Sequence, residues 1–311
     1  MHHTKIISGI LTICLFFTGC ESQTGTSTEK TLLDKNIEIQ KLSNDEFEFL
    51  EGPAWDGDKL VYFTDIPNNT IHTYNLETKK TGVFTNESNG ANGLMFDRES
   101  HLISCEQNTG LLSRIDISNN AREIIVDSFA GKRFNRPNDL VVDKANGIYF
   151  TDPTWADEYP QQHKGLYYQS ANGDIEILAT DFDKPNGVIL SPDEKFLYVG
   201  DSNTFNIKRY TILSPGKIGE RIDFAELPHE VKSSSSSADG MAISNDGELF
   251  VTYQSGVAIF NKEGESLGVI QLPEQPSNAT FVGKDLDTLF VTAKHNIYSI
   301  KLNVKGIYFP Q

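Results

Sequence analysis

Cysteine is scarce in this sequence of 311 residues: there are three, and Cys14 and Cys20 both lie among the first 20 positions. Only Cys105 remains in the rest of the chain. A single thiol excludes a disulfide framework, which is the usual support of small exported domains. The folded part must therefore be held together by a large hydrophobic core, and the chain is long enough to bury one.

Positive charge is also scarce. The chain has 27 Lys and Arg residues against 43 Asp and Glu residues, a formal net charge of −16. Such a polyanion repels nucleic acid and anionic lipid headgroups. We therefore expect no nucleic-acid partner, and no contact with a membrane through the folded surface.

Long apolar runs are absent as well. Residues 6–17 form an apolar run that follows a short basic segment and is too short to span a bilayer. The run ends at Phe17-Thr18-Gly19-Cys20, which resembles a bacterial lipobox. It predicts a lipoprotein-type signal peptide at residues 1–19, cleavage before Cys20 and lipid on its sulfur. An ordinary signal peptide with a chance cysteine is the alternative.

The leader predicts an extracytoplasmic protein that is attached to a bacterial membrane only through the lipid on Cys20. Residues 20–35 are predicted to be the lipidated cysteine and a flexible tether, because residues 21–30 are rich in Ser and Thr and contain no large apolar side chain. The folded domain is then expected at residues 36–311.

Six short apolar strands of one pattern recur through this domain. Their last residues lie 40 to 52 positions apart, and a tight turn joins each strand to an earlier one. A third strand follows in every repeat, a fourth in most, and no segment has a sustained helical period. The six occupy residues 60–65, 101–106, 147–152, 196–201, 248–253 and 288–293.

This repetition predicts an all-β fold, a six-bladed β-propeller with four-stranded blades. Residues 37–42 precede the first blade and can add a strand to the last blade, which would close the ring. A linear β-solenoid is the alternative, but its periods would be shorter and more even.

Oxygen-bearing side chains stand at the start of the innermost strand in every repeat. Innermost strands line the central channel of a propeller, so equivalent side chains should converge on its axis. Each residue lies 14 or 15 positions before the end of the second strand: Glu51, Asn92, Asn138, Asn186, Asp239 and Asn278. We call these six residues the oxygen ring.

The oxygen ring predicts a central metal site, because hard divalent cations prefer carboxylate and amide oxygens. Ca²⁺ suits the set best, with Mg²⁺, Mn²⁺ or Zn²⁺ as alternatives; the ring has no histidine or cysteine of the kind that typical zinc sites use. Turn chemistry is the other interpretation, since Asn and Asp before Gly are common turn residues. Glu51 has no comparable turn role.

Motifs in chain order connect these positions to a known family. They are Glu51-Gly-Pro53, Ala91-Asn-Gly93, Arg136-Pro-Asn138, Thr151-Asp-Pro153, Pro185-Asn-Gly187 and Ala238-Asp-Gly240. Across the whole predicted domain the chain resembles the gluconolactonase and senescence-marker-protein (regucalcin) family of six-bladed propellers. The resemblance implies a metal-dependent hydrolase that opens sugar lactones, small-molecule substrates, at the mouth of the channel. We expect it to be a monomer.

The resemblance also implies roles for individual residues. The metal ligands would be Glu51, Asn138, Asn186 and Asp239. Substrate contacts would come from Arg136 and Asn138, and Asn92 would contact substrate or a water molecule. Glu106, which ends a second strand, is a further candidate for substrate contact; Asp152 and Asp201 end second strands too, and all three either orient ligands or are ordinary strand ends.

The catalytic residue expected from this reasoning is Asp239, as the base that deprotonates water. Activation of the water by the metal and direct attack by Asp239 are the other accounts.

Two functions remain beside lactone hydrolysis. One is phosphotriester hydrolysis at the same metal site. The other is a non-catalytic surface propeller whose metal only holds the channel together while its loops bind a sugar or protein.

Overall fold

The computed structural model describes residues 37–155, 160–228 and 238–309, together with Met1. The predicted signal peptide and tether lie outside these residues, apart from Met1, and stay predictions. The described chain folds into 24 β-strands. No helix in it is long and apolar enough to cross a membrane.

The strands form six antiparallel sheets of four strands each, which are the six blades. Blade 1 contains β2 (Leu50–Trp55), β3 (Leu60–Asp65), β4 (Thr70–Asn75) and β5 (Lys80–Thr85). Blade 2 contains β6 (Ala91–Phe96), β7 (Leu102–Glu106), β8 (Leu111–Asp116) and β9 (Ala121–Val126). Blade 3 contains β10 (Leu140–Val142), β11 (Ile148–Asp152), β12 (Gly165–Gln169) and β13 (Ile175–Ala179). Blade 4 contains β14 (Pro185–Leu190), β15 (Phe196–Asp201), β16 (Asn206–Ser214) and β17 (Lys217–Glu226). Blade 5 contains β18 (Met241–Ile243), β19 (Leu249–Tyr253), β20 (Gly256–Phe260) and β21 (Ser266–Gln271). Blade 6 contains β22 (Pro276–Val282), β23 (Thr288–Ala293), β24 (Asn296–Lys301) and β1 (Ile39–Lys41).

The six innermost strands close into a ring. Each of them contacts the innermost strand of the blade before it and of the blade after it, and β22 contacts β2. The N-terminal strand completes the last blade, since β1 pairs with β24 and Ile39 lies opposite Ile300. The predicted six-bladed propeller is therefore confirmed, and so is its closure by the N-terminal segment.

The hydrophobic core lies between neighbouring blades. Strands β2 and β11 are buried along their whole length, whereas the outermost strand β9 is mostly exposed. Continuous burial replaces the alternating pattern of a half-exposed sheet because both faces of a blade are covered. Phe63 of blade 1 and Phe290 of blade 6, for example, belong to one cluster with ring centroids 6.2 Å apart.

The C-terminal segment covers the end of the channel that lies opposite the oxygen ring. Gly306 pairs with Ser244 of blade 5 and donates its N–H to the Leu286 carbonyl at 2.7 Å. Tyr308 packs edge-on against Trp55 at the end of β2, with ring centroids 5.5 Å apart. The enclosed space between this segment and the innermost strands is about 40 Å³.

Candidate metal centre

Five members of the oxygen ring line one cavity of about 190 Å³. All five are buried. The five are Glu51, Asn92, Asn138, Asn186 and Asp239. The cavity is also lined by Phe49, Ile66, Gln107 and Trp155. All four predicted metal ligands are thus brought together, and Asn92 lies beside them.

The sixth member, Asn278, is not among the residues that line this cavity. It lines the enclosed space toward the C-terminal segment, and its Nδ2 lies 3.4 Å from Oδ2 of Asp139 as a hydrogen-bond donor. The sequence register places Asn278 at the right level of the channel, but it does not fix the direction of the side chain.

The Asn-Gly pairs of the ring do not form turns. Asn92-Gly93 lies within β6 and Asn186-Gly187 within β14. These glycines are needed because adjacent innermost strands approach each other closely: a Cβ atom at Gly187 would lie 2.2 Å from the Asp239 carbonyl oxygen. Only a residue without a side chain lets neighbouring ring residues pack so near the channel axis.

A closed belt of hydrogen bonds joins every blade to the next at the level of the ring. Each bond ends on the backbone carbonyl of a ring residue or of the residue just before one. In blade order, the links are Thr64 Oγ1 to Asn92 (3.1 Å), Gly93 N to Asn138 (2.7 Å), Thr151 Oγ1 to Asn186 (2.7 Å), Ser202 Oγ to Ala238 (2.8 Å), Thr252 Oγ1 to Ser277 (2.7 Å) and Ser277 Oγ to Leu50 (2.5 Å). The belt holds the ring backbone in a fixed arrangement.

The carboxyl groups around the ring are strongly perturbed. Burial, and then the nearby Asp139 carboxylate, raise the pKa of Asp239 to about 8. Burial raises the pKa of Glu51 well above its ordinary value, and Asp239 and Asp139 raise it further. Burial raises the pKa of Asp139 itself to about 7. Burial thus raises the pKa of all three acidic groups, and Asp139 raises those of Asp239 and Glu51 further, whereas side-chain hydrogen bonds with Asn186 and Glu51 lower that of Asp239.

The residues present fit a hard divalent cation. None of the side chains that line the ring cavity, all in the described part of the chain, is basic. Oδ1 of Asp239 is buried without a hydrogen-bond partner, and an unpaired buried carboxylate oxygen is costly unless something binds it. Glu51, Asn138, Asn186 and Asp239 offer two carboxylates and two amides, the oxygen set that Ca²⁺ prefers.

We expect the melting temperature of the metal-free protein to fall as pH rises from about 5 to about 8. Asp239, with a pKa of about 8, keeps its proton in the folded state over this range, whereas an unfolded Asp titrates near about 3.9. The folded state therefore binds more protons, and stability falls with pH. Scanning calorimetry in the presence of chelator measures the melting temperature at each pH. We expect a shallower fall for Asp239→Asn than for the wild type. A wild-type melting temperature that does not change with pH would contradict the prediction.

Two predicted substrate contacts lie elsewhere than in the cavity wall. The Glu106 carboxylate is fully buried and binds the Arg122 guanidinium, the Ser113 hydroxyl and, at 3.0 Å, the Thr109 hydroxyl. Arg136 is half-buried, and its backbone N–H donates to Asp152 at 2.8 Å. Neither residue is among those that line the cavity.

Sequence reasoning missed several residues of the site. Asp139 was not predicted to belong to the site, although an acidic residue directly after the predicted ligand Asn138 is a usable signal. Phe49, which forms part of the apolar wall, lies in no motif. Trp155 is 46% exposed at the cavity, and the Lys184 ammonium lies 4.2 Å from the centre of its ring.

A second acidic group lies at the opposite end of the propeller. Asp97, Glu99 and His101 form the turn between β6 and β7, and their ligand atoms are close enough to hold an ion. The Asp97 carboxylate is already engaged, since Arg114 Nε lies 2.9 Å away and the backbone N–H groups of Glu99 and His101 donate to it. It is an ion-paired turn residue.

Lactonases are among the known proteins to which this chain is similar. A gluconolactonase of Zymomonas mobilis is 29% identical over 301 residues, covering 88% of this chain and 84% of that protein. A pentonolactonase of Haloferax volcanii is 27% identical over 251 residues, covering 78% and 80% of the two chains. The solved structure of a gluconolactonase from Xanthomonas campestris superposes with a TM-score of 0.79 at 27% identity, covering 88% and 91%.

The match extends to a family model. Residues 49–295 match the model described as the SMP-30/Gluconolactonase/LRE-like region. The matched range begins two residues before Glu51 and ends in the turn between β23 and β24. The resemblance drawn from the sequence motifs is confirmed. The chain belongs to the SMP-30/Gluconolactonase/LRE-like family.

Proposed function

We propose that this chain is a lactonase that opens sugar lactones at the oxygen ring with the help of a divalent cation. The observation that carries the proposal is the buried cavity in which four oxygen ligands converge and Oδ1 of Asp239 has no partner. The gluconolactonase and pentonolactonase relatives support lactones as the substrate class. The cavity, about 190 Å³, matches a small substrate that is partly enclosed.

The cation would be held by Glu51, Asn138, Asn186 and Asp239. When bound, it supplies a Lewis acid that polarises the lactone carbonyl and offsets charge on the tetrahedral oxyanion. A lactone is an activated ester, so this stabilisation and one proton transfer are sufficient chemistry.

The chain's own groups then have distinct tasks. Asp239 accepts the proton of the attacking water on its carboxylate group, for which it must be ionised. Asn92 and Gln107 line the cavity, and their amide groups would hydrogen-bond the sugar hydroxyls. Phe49, Ile66 and Trp155 form an apolar wall that limits the access of other water molecules.

A substrate panel tests this function. Purified protein with Ca²⁺ or Mn²⁺ is expected to hydrolyse aldonolactones, followed as acid release in a pH-stat, and to turn over phosphotriesters far more slowly. Faster turnover of phosphotriesters would assign the same site to that reaction. Turnover of neither class, with metal still raising the melting temperature, would leave a metal-stabilised binding propeller and overturn the lactonase proposal.

A further inference from the structure

Three aspartates at the ends of second strands bind the backbone that leads into the oxygen ring. Each one accepts two N–H groups of that segment, one on each carboxylate oxygen, and each is almost fully buried. The donors are Glu48 and Phe49 for Asp65 (both 3.1 Å), Asn135 and Arg136 for Asp152 (2.9 and 2.8 Å), and Asp183 and Lys184 for Asp201 (2.8 and 2.9 Å).

The register of these contacts is the same in all three blades. The two donors are always the residues three and two positions before a ring residue, namely Glu51, Asn138 and Asn186. A carboxylate that accepts two neighbouring N–H groups through separate oxygens fixes the direction of that backbone segment. When the carboxylate is ionised, such bonds are about twice as strong as neutral ones.

The device occurs in three of the four blades that carry a proposed ligand, and the remaining blades show that it is not a general property of the fold. In blade 2, Glu106 binds the Asn89 side chain instead of the backbone, at 3.1 Å. Blades 5 and 6 have Tyr253 and Ala293 at the corresponding positions. The backbone N–H of Asp239, the fourth proposed ligand, donates to the Thr252 carbonyl at 2.9 Å.

We propose that Asp65, Asp152 and Asp201 are positioning residues that set the direction in which three cation ligands enter the ring. This inference rests on the proposed function, because the property it controls is the affinity of the ring for a divalent cation. Ligands that are already oriented lose little conformational entropy when they bind a cation. Groups that hold the ligands in place without touching the metal typically contribute about 10- to 100-fold to metal affinity.

The test compares two aspartates of blade 3 in the metal-free full-length protein. In Asp152→Asn, the amide can accept one N–H but turns its own NH₂ toward the other. Asp143→Asn is the matched control: Asp143 is also buried and accepts two backbone N–H groups, from Ala145 at 2.9 Å and Gly147 at 2.7 Å, but at the opposite end of β10.

Calorimetric titration with Ca²⁺ alone measures the dissociation constant of each protein, and thermal unfolding measures its metal-free stability. Both variants are expected to lower the melting temperature, but only Asp152→Asn should raise the Kd, by about 10- to 100-fold. A Kd for Asp152→Asn within about twofold of the control would overturn the positioning role.

Asp65→Asn and Asp201→Asn, measured in the same way, decide the matter if Asp152→Asn does not fold. They are expected to weaken Ca²⁺ binding as well, because each acts on a different ligand. A wild-type protein that binds no divalent cation would reject the metal centre itself and this inference with it. Tight wild-type binding with unchanged variants would reject the positioning role alone.

Discussion

Replacing Asp239 with Asn is expected to lower kcat/KM for lactone hydrolysis by about 10²- to 10⁴-fold, the usual contribution of a positioned base. The amide keeps an oxygen and nearly the same volume, so the ring can still assemble. It cannot accept the proton of the attacking water, however, and it removes one of the two carboxylates from the proposed ligand set. Initial rates in a pH-stat with saturating Ca²⁺ measure the loss.

The same variant should not be less stable than the wild type when metal is absent. Asp239 shares a desolvated channel with Glu51 and Asp139, and its charge is opposed by burial and by Asp139. Removing that charge relieves the repulsion, so the metal-free variant should melt at the same temperature as the wild type or higher at pH 9. Asp246→Asn, an exposed residue in the turn between β18 and β19, is the control and should change neither property. Near-normal turnover by Asp239→Asn would remove Asp239 as base or nucleophile.

Removal of divalent cations should have a comparably large effect. We expect chelator to abolish lactone turnover and to lower the melting temperature, and added Ca²⁺ to restore both. A ligand that binds only the folded state at 100 times its Kd stabilises that state by about 2.7 kcal/mol. The buried carboxylates would add pH dependence to this effect, because a cation must compete with the protons on Asp239 and Glu51.

The matched control for this experiment is Asp239→Asn, which should gain less stability from Ca²⁺ than the wild type does. Full activity in the presence of chelator, with an unchanged melting temperature, would contradict a catalytic cation and would leave the ring carboxylates to act alone.

Much of the site was predictable from the sequence because a propeller repeats one local unit. The hairpin turns and the second strands set a register, and that register places Glu51, Asn138, Asn186 and Asp239 at equivalent positions on innermost strands. Their convergence follows from the closed ring of blades. Local pattern and global geometry coincide here, so counting along the chain was sufficient to find the six positions of the oxygen ring, while the choice of four of them as metal ligands came from the family resemblance.

The features that sequence reasoning missed depend on contacts between distant segments. The Asn278 side chain, for example, donates to Asp139, a residue of a different blade, at 3.4 Å. The C-terminal segment covers the channel by pairing Gly306 with Ser244 of blade 5, and it carries no repeat signal. The Asp152 carboxylate looked like either a ligand-orienting group or a strand end, and only its two backbone partners connect it to the segment before Asn138.

The position of the cation is the most direct test of the central claim. Crystals of the protein grown with Mn²⁺, or with Ca²⁺, should show one strong anomalous difference peak inside the ring cavity. With Ca²⁺, the account predicts oxygen atoms of Glu51, Asn138, Asn186 and Asp239 at about 2.3–2.6 Å from that peak. A cavity without a peak, or a strongest peak at Asp97, Glu99 and His101, would contradict it.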